Sequence, residues 1–156
     1  MSFPESEYPV DRLIVFQMPS RLELLVVVDQ LVQAICTDLD FDRDAVDAIA
    51  NSVIEAATNA VQHAHGHEAT SPVVFRFFLG DDELGIEVTD SGPGFDLDEV
   101  TAIDPTGPEG ILKSRGRGIF IMKAMMDRVD FDIEIGKGTR VRMAKLRVPA
   151  GAEADA

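Results

Sequence analysis

The chain has 156 residues, 46 % of them hydrophobic and 27 % charged, which suits one globular domain with one sizeable core. With 14 basic against 28 acidic residues the net charge is −14, a balance that repels phosphate backbones over most of the surface and speaks against a nucleic-acid binder. Cys36 is the only cysteine, the start MSFPESEYPVDR lacks a basic and apolar leader, and the apolar stretch 22–35 is broken by Glu23, Asp29, Gln30 and Gln33, so a disulfide scaffold, a secretion signal and a membrane span are not expected and a cytoplasmic protein is.

Residues 12–17, RLIVFQ, predict a first strand. Pro19 and Ser20 end it, with Ser20 placed to cap a helix over 21–37. Within that helix Val26, Val27 and Val28 prefer a strand. The aspartate-rich DLDFDRDAVDAI fails as a calcium loop. Counted from Asp38, its sixth position is Arg43 and its twelfth Ile49, where Gly and Glu are needed. Aspartates at a helix start instead satisfy free N–H groups and suit the positive end of the dipole. A long helix over about 43–65 follows, with Val46, Ala50, Val53, Ile54, Ala57, Val61 and Ala64 on one face. That face should rest on a sheet. Gly66 is the expected stop, with His63 and His65 near the negative end.

Strands 73–79 and 84–90 are joined by Gly80, Asp81 and Asp82, a hairpin signal. Residues 91–115 are dense in glycine and proline, and so long a loop inside a domain is usually functional. A helix is expected again over 118–126, then strands 129–135 and 139–148 around Gly136, Lys137 and Gly138. The order predicts an α+β two-layer sandwich, a mixed β-sheet with helices on one face. One domain spans residues 1–150, and 151–156 form a frayed tail. There is no internal repeat.

Three nucleotide and hydrolase signatures are missing from the sequence: the P-loop, the Rossmann G-x-G-x-x-G and the G-x-S-x-G elbow. A polyanionic ligand would need local positive charge, and Lys113, Arg115, Arg117 and Lys123 supply it with no acidic residue between them. Glu55, Asn59 and His63 are spaced i, i+4, i+8 and share a helix face. They are either the wet side of an amphipathic helix, or a carboxylate and an amide in register beside a phosphate chain, able to take a proton and to hold Mg²⁺. Asp90, Ser91, Gly92, Pro93, Gly94 and Phe95 end a strand. An aspartate there can accept a hydrogen bond from an exocyclic amine, and glycines let backbone approach a flat ring. Arg115, Gly116, Arg117 and Gly118 are expected to open the next helix and to present N–H groups and charge to an anion. His63, His65, His67 and Glu68 form a rival metal cluster, whose spacing is spoiled if the helix ends at Gly66.

In this order, an E-x-x-x-N helix, a strand ending in D-x-G-x-G-F, a long lid, a G-x-G and a final G-x-G-T strand pair resemble the boxes of the GHKL ATPases. Gyrase-type, Hsp90-type and histidine-kinase ATP domains share them. The wording EAATNAVQHAH, DSGPGFD and RGRGIFIMKAMMDRVDF resembles, more narrowly, the bacterial anti-sigma serine/threonine kinases of the sporulation and general-stress type. The resemblance covers roughly residues 10–148, except that 104–109 in the lid match no family wording.

The resemblance implies a Bergerat ATP-binding fold that takes ATP, ADP and Mg²⁺. It assigns Glu55 as catalytic base and Asn59 as Mg²⁺ ligand. Asp90 would bind the adenine amine, supported by Gly92 and Gly94, with Thr139 near the adenine. Gly116 and Gly118 would cradle phosphates, and Arg115 and Arg117 are both candidates for the γ-phosphate. It further implies a STAS-type anti-anti-sigma partner phosphorylated on serine, a sequestered sigma factor and a homodimer; apart from the resemblance, the apolar residues of 22–32 exceed what one helix face needs, so part of them is expected to serve a dimer or partner surface. No direct contact with nucleic acid or membrane is implied. The alternative is a nucleotide-dependent partner-switching module without sigma binding or kinase turnover, and the retention of Glu55 favours the kinase. An ATP domain of a histidine kinase acting in cis would need a preceding hairpin bearing a histidine, and no histidine occurs before His63.

Overall fold

In the computed structural model, residues 10–64, 71–102 and 111–148 are described. Strand β1, Leu13–Pro19, turns Met18 inward, with Ile14 and Phe16 packed against the core. A single 3₁₀ turn, Leu22–Leu24, leads into helix α1, Leu25–Asp38. The predicted Ser20 cap is corrected. Arg21 occupies the cap position of the turn with no side-chain cap bond, and the Ser20 hydroxyl donates instead to the Ser71 carbonyl. Ser20 thereby staples the end of β1 to the start of its neighbour strand. Only the third of the three valines faces the core: Val28 is fully buried, while Val26 and Val27 are 62 % and 43 % exposed.

Helix α2, Arg43–Thr58, starts on Asp42, whose carboxylate accepts the Ala45 N–H at 2.8 Å. The helix expected to run to 65 changes character before its end, and Asn59–Ala64 form a wider π-helical turn. The Thr58 hydroxyl donates back to the Ile54 carbonyl at 2.7 Å, a bond that loosens the helix ladder locally. Such turns recur at functional sites. Strands β2, Pro72–Leu79, and β3, Glu83–Asp90, form the expected hairpin, closed by the Gly80 N–H on the Glu83 carbonyl. The breaker-rich region holds a short helix, α3, Leu97–Thr101, capped by Asp96. Helix α4, Ile111–Met125, begins well before Gly118. Strands β4, Arg128–Glu134, and β5, Gly138–Leu146, follow. Positions 104–109 of the lid and the tail 151–156 lie outside the described residues.

The sheet order is β1-β2-β3-β5-β4, and every neighbouring pair is antiparallel. The expected mixed sheet is therefore corrected, while the α+β class and the helices on one face stand. The reason is topological. Helices α1 and α2 form an antiparallel pair, so the chain re-enters beside β1 in the reverse direction. The crossover through α4 leaves β4 parallel to β3, but β5 inserts between them. Phe75, Phe77, Ile86 and Met143 of the sheet pack on Val28, Ile49, Val53 and Met122 of the helices. Each such side chain contributes roughly 1.5–3 kcal/mol by leaving water.

The other face of the sheet buries a carboxylate. Glu87 is 0 % exposed, and Arg76 and Arg140 each lie 3.3 Å from its Oε1 while Arg142 lies 3.5 Å from its Oε2. Those arginines come from both neighbouring strands, opposite or diagonal to Glu87. Their aliphatic stems provide the cover that apolar residues would otherwise supply.

Candidate functional site

The helix face bearing Glu55 of α2 and Asn59 and His63 of the π-helical turn is not the wet side. All three residues are half-buried, because α4 crosses over them. The crossing is at Gly118, where a Cβ would stand 2.8 Å from Glu55 Oε2 and 3.3 Å from Asn59 Nδ2. Glycine is what lets the α4 backbone reach the carboxylate and the amide together.

The expectation that residues 115–118 open a helix is corrected. Gly116 and Gly118 lie inside α4, where backbone N–H groups are engaged within the helix and cannot serve as the free donors of a helix start. Glycine costs only about 1 kcal/mol inside a helix, and tertiary contact offsets it. Gly116 packs on α3, with a Cβ there only 2.9 Å from the Val100 carbonyl. Gly116 thus turns to α3, while Gly118 turns to Glu55 and Asn59.

Asp90, at the end of β3, forms the floor of a cleft. Its Oδ1 accepts the Gly92 N–H at 2.9 Å and the Thr139 N–H at 3.3 Å. These bonds hold the carboxylate in one orientation between the D-S-G turn and the start of β5. Gly92 sits directly under the π-helical turn, since a Cβ would stand 2.5 Å from Ala64 Cβ. Gly94 adopts φ +77°, a left-handed conformation natural to glycine. The Gly136 N–H donates to the Pro93 carbonyl at 2.8 Å, which ties the β4–β5 turn to the D-S-G loop. Thr139 is buried, and lines the cleft with Asp90 and Asn59.

The cleft walls are apolar. Phe95 meets Phe131 edge-on, with centroids 6.1 Å apart and planes at 80°, and Ala56, Val88, Met122 and Val141 line it too. Arg115 also lines it, with Cζ 4.2 Å from the Phe95 ring centroid. Residues near 55–59, 90–94 and 115–118, far apart in sequence, therefore meet in one place. Arg117 is exposed, but its charge reaches Glu55. Of the expected basic cluster, nothing is described for the Lys113 side chain.

The electrostatics are those of a partly dry site. Burial raises the Glu55 carboxyl above its usual range, and the Arg117 charge opposes that shift. Burial lowers His63, and the nearby Arg115 charge lowers it further. Burial also lowers Arg115, against the Asp90 charge. His63 Nε2 and Arg115 Nε are buried with no hydrogen-bond partner among the described residues. Perturbed groups gathered in a cleft make it a candidate functional site.

Phe131 and Met122 were not foreseen as site walls. Phe131 falls on the inward alternation of β4, but an apolar alternation does not reveal that β4 lies at the sheet edge next to the Asp90 loop. Of the rival histidine metal cluster, His65, His67 and Glu68 lie outside the described residues. A roomier hollow of ≈ 490 Å³ lies at the opposite end of β5, beside Asp40, Phe41, Lys145 and Arg147. It gathers none of the expected site residues, so its volume does not make it the site.

Comparison with known proteins agrees with this geometry. The profile of the histidine kinase-like ATPase domain matches residues 18–145. The serine-protein kinase RsbW of Bacillus licheniformis is 32 % identical over 137 residues, which cover 85 % of this chain and 84 % of that protein. RsbW of Bacillus subtilis strain 168 is 27 % identical over 136 residues, 85 % of this chain and 84 % of that one. Among solved structures, the RsbU and RsbW domains of Rv1364c from Mycobacterium tuberculosis superpose with a TM-score of 0.63 at 15 % identity, covering 88 % of this chain and 33 % of that longer one. The catalytic domain of the histidine kinase ThkA superposes with a TM-score of 0.54 at 14 % identity, covering 87 % and 99 %. At such identities the structures speak for the fold alone. With the sequence matches, the chain belongs to the histidine kinase-like ATPase domains and, within them, to the family of the serine-protein kinases RsbW.

Proposed function

We propose that the chain is an ATP-dependent protein serine/threonine kinase that phosphorylates a serine of a STAS-type anti-anti-sigma partner and sequesters a sigma factor. The observation that carries this reading is the meeting of Glu55 and Asn59 with α4 at the rim of the cleft floored by Asp90. In this reading Asp90 accepts the exocyclic amine of adenine, with Thr139 beside it and Gly92 and Gly94 shaping the loop. Gly116, Gly118, Arg115 and Arg117 belong to the phosphate side. For Gly116 and Gly118 that role requires the first turns of α4 to open.

The donor set fits Mg²⁺, since the Asn59 amide and the Glu55 carboxylate offer hard oxygen atoms side by side. Bound there through Asn59, the ion would neutralise phosphate charge. Glu55 takes the proton of the serine hydroxyl as that oxygen receives the γ-phosphoryl group and ADP is released. Its raised pKa makes it a better base than a solvated carboxylate. Arg117 steadies the carboxylate charge that this role requires.

No helix among the described residues is long and apolar enough to cross a membrane. A cytoplasmic location and a single domain over residues 1–150 complete the proposal. So does a homodimer to which the exposed Val26 and Val27 of α1 contribute.

Titration of ATP and ADP with and without Mg²⁺ tests the site. Asp90→Asn is expected to weaken both nucleotides alike, since both carry adenine. Asn59→Ala is expected to remove the Mg²⁺ dependence. Unaltered affinity in both variants would refute the assignment. Phosphate transfer from ATP to a purified STAS-type partner, present in wild type and lost in Glu55→Ala, tests the chemistry. Retained partner binding with no transfer by wild type would favour a partner-switching module.

A further inference from the structure

The cleft is nearly closed, and one of the side chains that line it is the chain's own arginine. Arg115 covers the face of Phe95 there, its Cζ 4.2 Å from the ring centroid. Asp90, Asn59 and Thr139 line the same space, and the free volume left is ≈ 20 Å³. That is room for little more than one water, far below the roughly 300 Å³ or more of a ligand pocket. A guanidinium is flat, carries N–H donors on its edge and stacks on aromatic rings. Those are also the properties of the amine-bearing edge and face of an adenine ring.

We propose that Arg115 is an internal occupant of the purine subsite, which stacks on Phe95 beside Asp90 in the nucleotide-free chain and must be expelled before adenine can enter. This rests on the nucleotide-site reading above and adds a built-in competitor to it. The occupant is imperfectly satisfied. Its Nε is buried without an acceptor among the described residues, and burial disfavours its charge more than Asp90 restores it. A ligand that matches the site better can therefore displace it. The first half of α4 is suited to yield, because Gly116 and Gly118 each weaken the helix relative to alanine. The apparent affinity for nucleotide is the intrinsic affinity scaled by the fraction of molecules with Arg115 out of the cleft.

The test is calorimetric titration of the full chain with adenosine and with ADP plus Mg²⁺, on wild type, Arg115→Ala and Arg115→Lys. Adenosine carries no phosphate, so it reports the purine subsite alone. Arg115→Ala is expected to bind adenosine roughly threefold to tenfold more tightly, the range of a partly buried cation–ring contact. Arg115→Lys, which keeps charge but not the plane, should fall between. The Arg115 Nε–H resonance should lie under the ring current of Phe95 in the free protein and shift when adenosine is added. Unchanged or weaker adenosine binding in Arg115→Ala, with ADP still bound, overturns the proposal and leaves the nucleotide site standing. That outcome would leave Arg115 a phosphate contact only. Failure of all three proteins to bind either ligand would overturn both.

Discussion

In the proposed reaction, Glu55 serves the chemistry at the expense of the fold. Its carboxyl is raised in the folded state because burial disfavours the charge. The folded chain therefore holds that proton more tightly than the unfolded chain. The favourable contribution exists below the unfolded carboxyl value of about 4.3 and is lost as pH rises through the folded value. At neutral pH the ionised group is a burden. Glu55→Gln should accordingly raise the thermal midpoint by about 1–3 °C. The same change should lower phosphoryl transfer by roughly 10²-fold or more. Calorimetric melting beside a transfer assay checks both halves. The acid limb of the pH–rate profile should report the same carboxyl. Because the Arg117 charge lowers it, Arg117→Ala should move that limb to higher pH, and an unmoved limb would disconnect Arg117 from Glu55. The spacing of Glu55, Asn59 and His63 was legible in sequence. Their half-burial was not, since a helical wheel placed them opposite the apolar stripe. It took α4 to cover that side.

At the scale of elements, the two glycines of α4 should respond differently to alanine. Alanine is intrinsically better in a helix by about 1 kcal/mol, so packing decides the outcome. At Gly118 the new methyl would meet Glu55 Oε2 and Asn59 Nδ2, the ends of side chains that can swing away. Gly118→Ala is therefore expected to keep or slightly raise stability while displacing Glu55, with kinase activity falling at least tenfold. At Gly116 the methyl would meet the Val100 carbonyl, which belongs to the backbone of α3 and cannot swing. Gly116→Ala should lower stability by about 1–3 kcal/mol, the usual cost of overpacking. Urea unfolding of the two variants distinguishes these outcomes. The hairpin β2–β3 and the pair β4–β5 were legible because turn glycines and alternating apolar residues are local signals. The start of α4 was not. Glycines read as punctuation in sequence, and here they mark close approach between helices.

For the whole molecule, charge works in two ways. The net charge of −14 makes the folded chain repel itself, and salt screens such repulsion beyond about 8–10 Å at physiological strength. Raising NaCl from about 10 mM to about 150 mM should therefore raise the melting temperature. A falling temperature would show that attractive pairs dominate. Among the described residues, Glu87 is a fully buried carboxylate ringed by three arginines. Removing the carboxylate would leave Arg76, Arg140 and Arg142 facing one another around an empty position. Glu87→Ala should cost about 3 kcal/mol, read as a lowered midpoint in urea. Glu87→Gln, which keeps the shape and one acceptor oxygen but loses the charge and turns an amide NH2 toward an arginine, should cost less.

Local chemistry in the sequence determined the elements in their order, the α+β class and the motifs D-S-G, E-x-x-x-N and R-G-R-G that point to the candidate site, because periodicity, capping and turn preferences act over a few residues. Tertiary structure alone decided the rest. The antiparallel pairing throughout the sheet follows from where β5 inserts. The burial of Glu87 needs arginines from the two neighbouring strands. The insertion of Arg115 beside Asp90 needs α4 to lie across α2 and the Phe95 loop. Each depends on contacts between residues tens of positions apart, whose favourable energies exist only after the chain has closed those loops.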